Sequence, residues 1–178
     1  MSKSRKGSEF ERQISKFLSS WLTGSERPLQ FWRSPSSGGL STRYQDDNIS
    51  GDIVAITKES KSMWPFSVEC KNGYGKINIT HNFIQDSKSN NIKDFWIQCT
   101  DDCPADKYPM LIFKQLRHKP LVGIDHRAYE KLKFKLSTLN ICYLYFGIES
   151  LPILVLMDFK EFFECITQDD IKKLKADE

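Results

Sequence analysis

Gly51-Asp-Ile-Val-Ala-Ile-Thr57, followed by Phe66-Ser-Val-Glu-Cys-Lys71, decides how this chain reads. Both are short apolar runs rich in β-branched or aromatic residues, which predicts two strands paired as a hairpin across a turn at 58–65. Side chains alternate across a strand. Phe66, Val68 and Cys70 therefore share one face, while Ser67, Glu69 and Lys71 share the other. Glu69 and Lys71 project side by side, and Asp52 opens the neighbouring strand, close enough to set a second carboxylate beside the first. Two carboxylates and the Cys70 carbonyl make a hard-oxygen set suited to Mg²⁺, with Mn²⁺ as a substitute. A metal there would polarise a phosphate and lower the pKa of a water, and Lys71 would orient that water or stabilise developing charge.

An acid-any-lysine tripeptide carries little information alone, and context must choose among Glu59-Ser-Lys61, Glu69-Cys-Lys71, Asp86-Ser-Lys88, Asp158-Phe-Lys160 and Asp170-Ile-Lys172. Glu59 falls in a charged turn, Asp86 in a polar segment and Asp170 in a helical stretch, where i and i+2 diverge. Asp158 ends an apolar strand, but Asp158-Phe-Lys-Glu161 has the form of a helix N-cap. Only Glu69 sits inside a strand beside a second acid.

Upstream, Phe10, Ile14, Phe17, Leu18, Trp21 and Leu22 recur at helical spacing, with Gly24 as the C-cap. At about 100° per residue Glu11 lies at the edge of the apolar stripe and Glu9 well round the helix. If an acid from this helix reaches a sheet beneath it, it is Glu11. Residues 29–33 read as a short strand leading into Ser34-Pro-Ser-Ser-Gly-Gly39. Downstream, the pattern predicts a helix from Ile92 to Cys103, strands at 109–116 and 120–124 across the basic turn Arg117-His-Lys119, and a helix at 127–136. A strand pair at 141–146 and 153–157 and a short helical end complete it. This is an α/β pattern with a mixed central sheet flanked by helices.

A chain of 178 residues with 39% hydrophobic and 28% charged residues fits one folded domain and excludes a disordered tail. The longest strongly apolar run, 151–157, is far short of a bilayer span, and no secretory segment follows Met1. The expectation is an intracellular, cytoplasmic protein without membrane contact. Five cysteines without a paired spacing and three scattered histidines do not supply a zinc ligand set and suit a reducing compartment. The net charge of +3 permits nucleic acid without demonstrating it.

The order helix Glu11, then Asp52, then Glu69-Cys-Lys71 resembles the PD-(D/E)xK nuclease superfamily. Within it, residues 1–71 are similar to archaeal and phage Holliday junction resolvases. The resemblance runs through Lys6-Gly-Ser-Glu-Phe-Glu-Arg12, Arg33-Ser-Pro-Ser-Ser-Gly-Gly39, Asp52-Ile-Val-Ala55 and Val68-Glu-Cys-Lys71. It implies a restriction-endonuclease-like fold, with Asp52, Glu69 and the Cys70 carbonyl as metal ligands. Glu11 would be the helix acid, serving a coordinated water or a second ion, Lys71 the catalytic lysine, and Ser37 a residue near the scissile phosphate. Gly51 stands where many superfamily members have proline, and the loop between Ser37 and Asp52 is longer than in compact resolvases.

On this reading the chain is a metal-dependent, structure-specific DNA endonuclease that resolves four-way junctions as a two-fold homodimer. The rivals are a restriction-like or phage DNA-processing nuclease on duplex or branched DNA, and a DNA-binding module of the same fold without catalysis. Lys3, Arg5, Lys6 and Arg33, with Ser37 and Gly38 of the glycine-serine loop, are expected to contact the DNA backbone. Residues 1–125 are expected to form the nuclease core, and 126–178 an extension packed on the same domain.

Overall fold

In the computed structural model, residues 3–34, 50–74 and 92–175 are described. Seven strands form one sheet: β1 (Phe31–Arg33), β2 (Ile53–Ala55), β3 (Phe66–Tyr74), β4 (Tyr108–Gln115), β5 (Leu121–Asp125), β6 (Cys142–Leu144) and β7 (Leu154–Asp158). Their order is β1-β2-β3-β4-β5-β7-β6. β3 and β4 are the parallel pair, joined over helix α3 (Ile92–Asp101), and every other neighbouring pair is antiparallel. The fold is α/β with a mixed central sheet, as the pattern predicts.

One face of the sheet is covered by α1 (Lys3–Thr23), α4 (His126–Leu136), α5 (Phe159–Cys165) and α6 (Gln168–Lys175). Phe10, Ile14 and Leu18 of α1 meet Phe66, Val68 and Cys70 of β3 there, and Phe162 and Ile171 close the same core. On the other face α3 lays Ile92, Phe95, Trp96 and Cys99 against Leu111 and Phe113 of β4. The two faces of β3 thus go to two different layers. Phe66, Val68 and Cys70 bury on the α1 side while the polar set Ser67, Glu69 and Lys71 lies on the other, so a one-residue slip would drive polar groups into the apolar layer.

Several boundaries differ from the sequence reading. α1 begins at Lys3, because its first turns are polar and carry no apolar periodicity. Residues 58–65 contain helix α2 (Lys58–Met63) instead of a plain turn: Thr57 accepts from the Ser60 N–H and Ser60 returns a bond to the Thr57 backbone. That reciprocal cap uses serine where the familiar pattern has Glu or Gln. β2 and β3 are accordingly joined through a helix, and their register rests on the pair Ile53 and Val68. The helical end resolves into α5 and α6, with Asp158 capping α5 through the Lys160 and Glu161 N–H groups at 2.9 and 3.1 Å. Asp158 therefore has a structural occupation.

Candidate active site

The site forms where β2 parts from β3. Gly51 adopts φ +76°, and a Cβ added there would fall 2.5 Å from the Val68 carbonyl oxygen and 2.9 Å from its nitrogen. Only a residue without a side chain can approach β3 so closely in that conformation. The next residue, Asp52, then donates its N–H to the Val68 carbonyl at 2.7 Å, and its Oδ2 accepts the Cys70 N–H at 2.8 Å. In an extended strand the N–H and C=O of one residue point to the same side, so the Cys70 carbonyl is directed toward Asp52 as well.

Glu69 projects to the α3 side of β3 and is nearly buried. Lys71, two residues on, donates to Glu69 Oε1 at 2.5 Å and to Gln98 Oε1 of α3 at 2.8 Å. Its ammonium also lies 5.7 Å from the centre of the Phe95 ring. The lysine is thus fixed from three sides. From the opposite face Glu11 is buried at the edge of the α1 stripe and ion-paired with Arg33 of β1, whereas Glu9 is exposed and paired with Arg12.

Electrostatics set this cluster apart. Burial pushes the Asp52 carboxyl up to about 7, helped by the charges of Glu69 and Glu11 and opposed by the Cys70 N–H and Lys71. Burial also raises Glu69, which the bond from Lys71 partly offsets. Neighbouring carboxylates that each resist ionisation form a place short of positive charge. Such a place fits a hard divalent cation. Among the described residues no three His, Cys, Asp or Glu side chains gather closely enough to hold a metal ion. Glu11, expected among the ligands, is engaged by Arg33 and stands beside the Asp52–Glu69 pair. Two carboxylates and a carbonyl leave several positions to water, which suits magnesium better than zinc.

Of the other sequence candidates, Arg33 is at the site edge on Glu11, and Lys6 gives its carbonyl to Asn72 Nδ2 of β3 at 3.1 Å. Lys3 and Arg5 fall at the start of α1, their side chains outside the described residues, as are Ser37 and Gly38 altogether. Gln98 was not foreseen, because a polar residue on an amphipathic helix looks like any solvent-facing one. Its only sequence clue is its position after Phe95 on the helix that follows the Glu-x-Lys strand.

A family model described as "Phage putative PDDEXK endonuclease" matches residues 2–173. The chain belongs to this PDDEXK endonuclease family. The mixed sheet flanked by helices is accordingly a restriction-endonuclease-like fold, and the family is one of nucleases. The match takes in residues 126–173, which the sequence reading treats as an extension. No curated protein and no solved structure matches this PDDEXK chain. No helix among its described residues is long and apolar enough to cross a membrane.

Proposed function

We propose that the chain is a magnesium-dependent DNA endonuclease that acts on branched DNA, with four-way junctions as the preferred substrate. The observation that carries this is the meeting of Asp52 and Glu69 at the parting of β2 and β3, with the Lys71 ammonium 2.5 Å from Glu69. When bound, a divalent cation supplies charge neutralisation at the phosphate and acidifies a water. Asp52, Glu69 and the Cys70 carbonyl would hold it.

The chain's own residues do the rest. Lys71 carries positive charge at a fixed point, turned there by Glu69 and Gln98, and so stabilises negative charge developing on the phosphate without having to reorganise. Arg33, anchored on Glu11, adds a second cation at the edge of the site. Its role is backbone contact, which positions DNA without reading sequence. Lys3, Arg5, Lys6, Ser37 and Gly38 are proposed as further contacts on the same strand. A two-fold homodimer belongs to the same reading, since paired cuts in a symmetric junction need two sites.

A synthetic four-way junction and a linear duplex of the same sequence, each incubated with Mg²⁺, Mn²⁺ or EDTA, test it. Paired symmetric nicks in the junction, absent in EDTA, are the expected result. Lys71→Met and Asp52→Asn should each lower the rate about 10²- to 10⁴-fold. Equal cutting of both substrates would leave a nuclease without junction preference. No cutting with either metal would leave a DNA-binding protein of this fold.

A further inference from the structure

Beside the site, α1 and β1 enclose a pocket of about 270 Å³, near the lower end, about 300 Å³, of the range for small-ligand sites. Its lining holds four cationic side chains, Arg12, Lys16, Arg27 and Arg33, and no carboxylate. Arg33 is committed to Glu11, and Arg12 makes only an exposed pair with Glu9 at 3.5 Å, which water screens heavily. Neither Lys16 nor Arg27 has an ion pair among the described residues. The pocket therefore gathers positive charge, of which Lys16 and Arg27 have no ion pair among the described residues.

Trp32 lines the same pocket and is 53% exposed. The other tryptophans are placed differently. Trp64 and Trp96 are buried, and the Trp21 and Trp96 indoles donate to the Phe163 and Pro152 carbonyls at 2.9 and 2.7 Å. Trp32 sits in an edge strand where the core gains little from it. Large aromatics beside unpaired cations are what a single strand of nucleic acid uses, bases stacking on the ring and phosphates on the charges.

Two residues of the pocket lining also touch the candidate site. Arg33 reaches Glu11, and Ser34, at the pocket's end, donates its N–H to the Asp52 carbonyl at 2.7 Å. We infer that this pocket holds an unpaired nucleotide of the DNA strand being cut, its phosphates on Arg12, Lys16 and Arg27 and its base against Trp32. The inference rests on the nuclease reading for which strand lies there, and it makes the pocket the element that favours branched or frayed DNA over intact duplex.

Binding without cutting separates the two ideas. The full-length Asp52→Asn protein in EDTA is titrated with a fluorescent single-stranded 12-mer and with a blunt duplex, by anisotropy. Trp32→Ala in that background should weaken single-strand binding about tenfold, leave duplex binding within twofold, and keep the melting temperature. Trp32→Phe should recover most of the loss. Lys16→Ala with Arg27→Ala should weaken binding of the single strand and flatten its salt dependence. Equal loss on both DNAs, or no loss from Trp32→Ala, overturns the inference. If the wild type never cleaves yet shows the Trp32-dependent preference, the nuclease reading fails and the pocket stands.

Discussion

Asp52 is kept in a place where its charge is unwelcome. The unfolded chain releases its proton near the ordinary 3.8, whereas burial, Glu69 and Glu11 push the folded carboxyl up to about 7. Between those values the native state binds more protons than the unfolded one, so this contribution to stability is complete below 3.8 and is lost as pH rises through about 7. Glu69 shifts in the same direction. In EDTA the melting temperature should therefore fall from pH 5 to pH 8. Asp52→Asn should flatten that fall and melt roughly 5 °C higher at pH 8. Thermal melts across the pH range check this, and an unchanged slope would mean that the carboxyl is not held in the protonated form. The expected gain from Asp52→Asn would place the site among those where a residue needed for chemistry opposes folding.

At the scale of elements, the approach of β2 to β3 depends on Gly51. Alanine there would combine φ +76° with a Cβ 2.5 Å from the Val68 carbonyl oxygen, a backbone atom that cannot swing away. Gly51→Ala should cost at least about 2 kcal/mol, read by urea denaturation, because strain and steric overlap add. Cleavage should fall with it, since Asp52 is the next residue. The proline common at this position in the superfamily is tied to φ near −65° and cannot reproduce the turn. The Thr57–Ser60 cap of α2 is a second local device, and it brings Trp64 and Phe66 into the core beside Phe31.

At the scale of the whole molecule, the division at residue 125 separates residues that share one core. β7 lies between β5 and β6, and α5 packs Phe159 and Phe163 on Phe17 of α1 with ring centres 4.7 and 5.3 Å apart. The Trp21 indole donates to the Phe163 carbonyl at 2.9 Å. A chain ending at residue 125 would expose that surface and leave the edge of β5 unpaired. It should lack cooperative thermal unfolding by circular dichroism and be cut rapidly by protease. A cooperative melt from residues 1–125 would show instead that the nuclease part folds alone.

Sequence by itself determined what depends on neighbours along the chain. Strand alternation put Glu69 beside Lys71, helical phase chose Glu11 over Glu9, and the cap after Asp158 removed its competitor. Those are periodicities of 2 and 3.6 residues, readable in a short window. Tertiary structure decided the rest: the Asp52 carboxylate on the Cys70 N–H, Arg33 on Glu11, and Gln98 on Lys71. Each of these partners comes from a separate element, so it depends on the order of strands in the sheet and on which face each helix covers. No local pattern carries that information, because the burial of two faces at once, and not any one residue's preference, selects the arrangement.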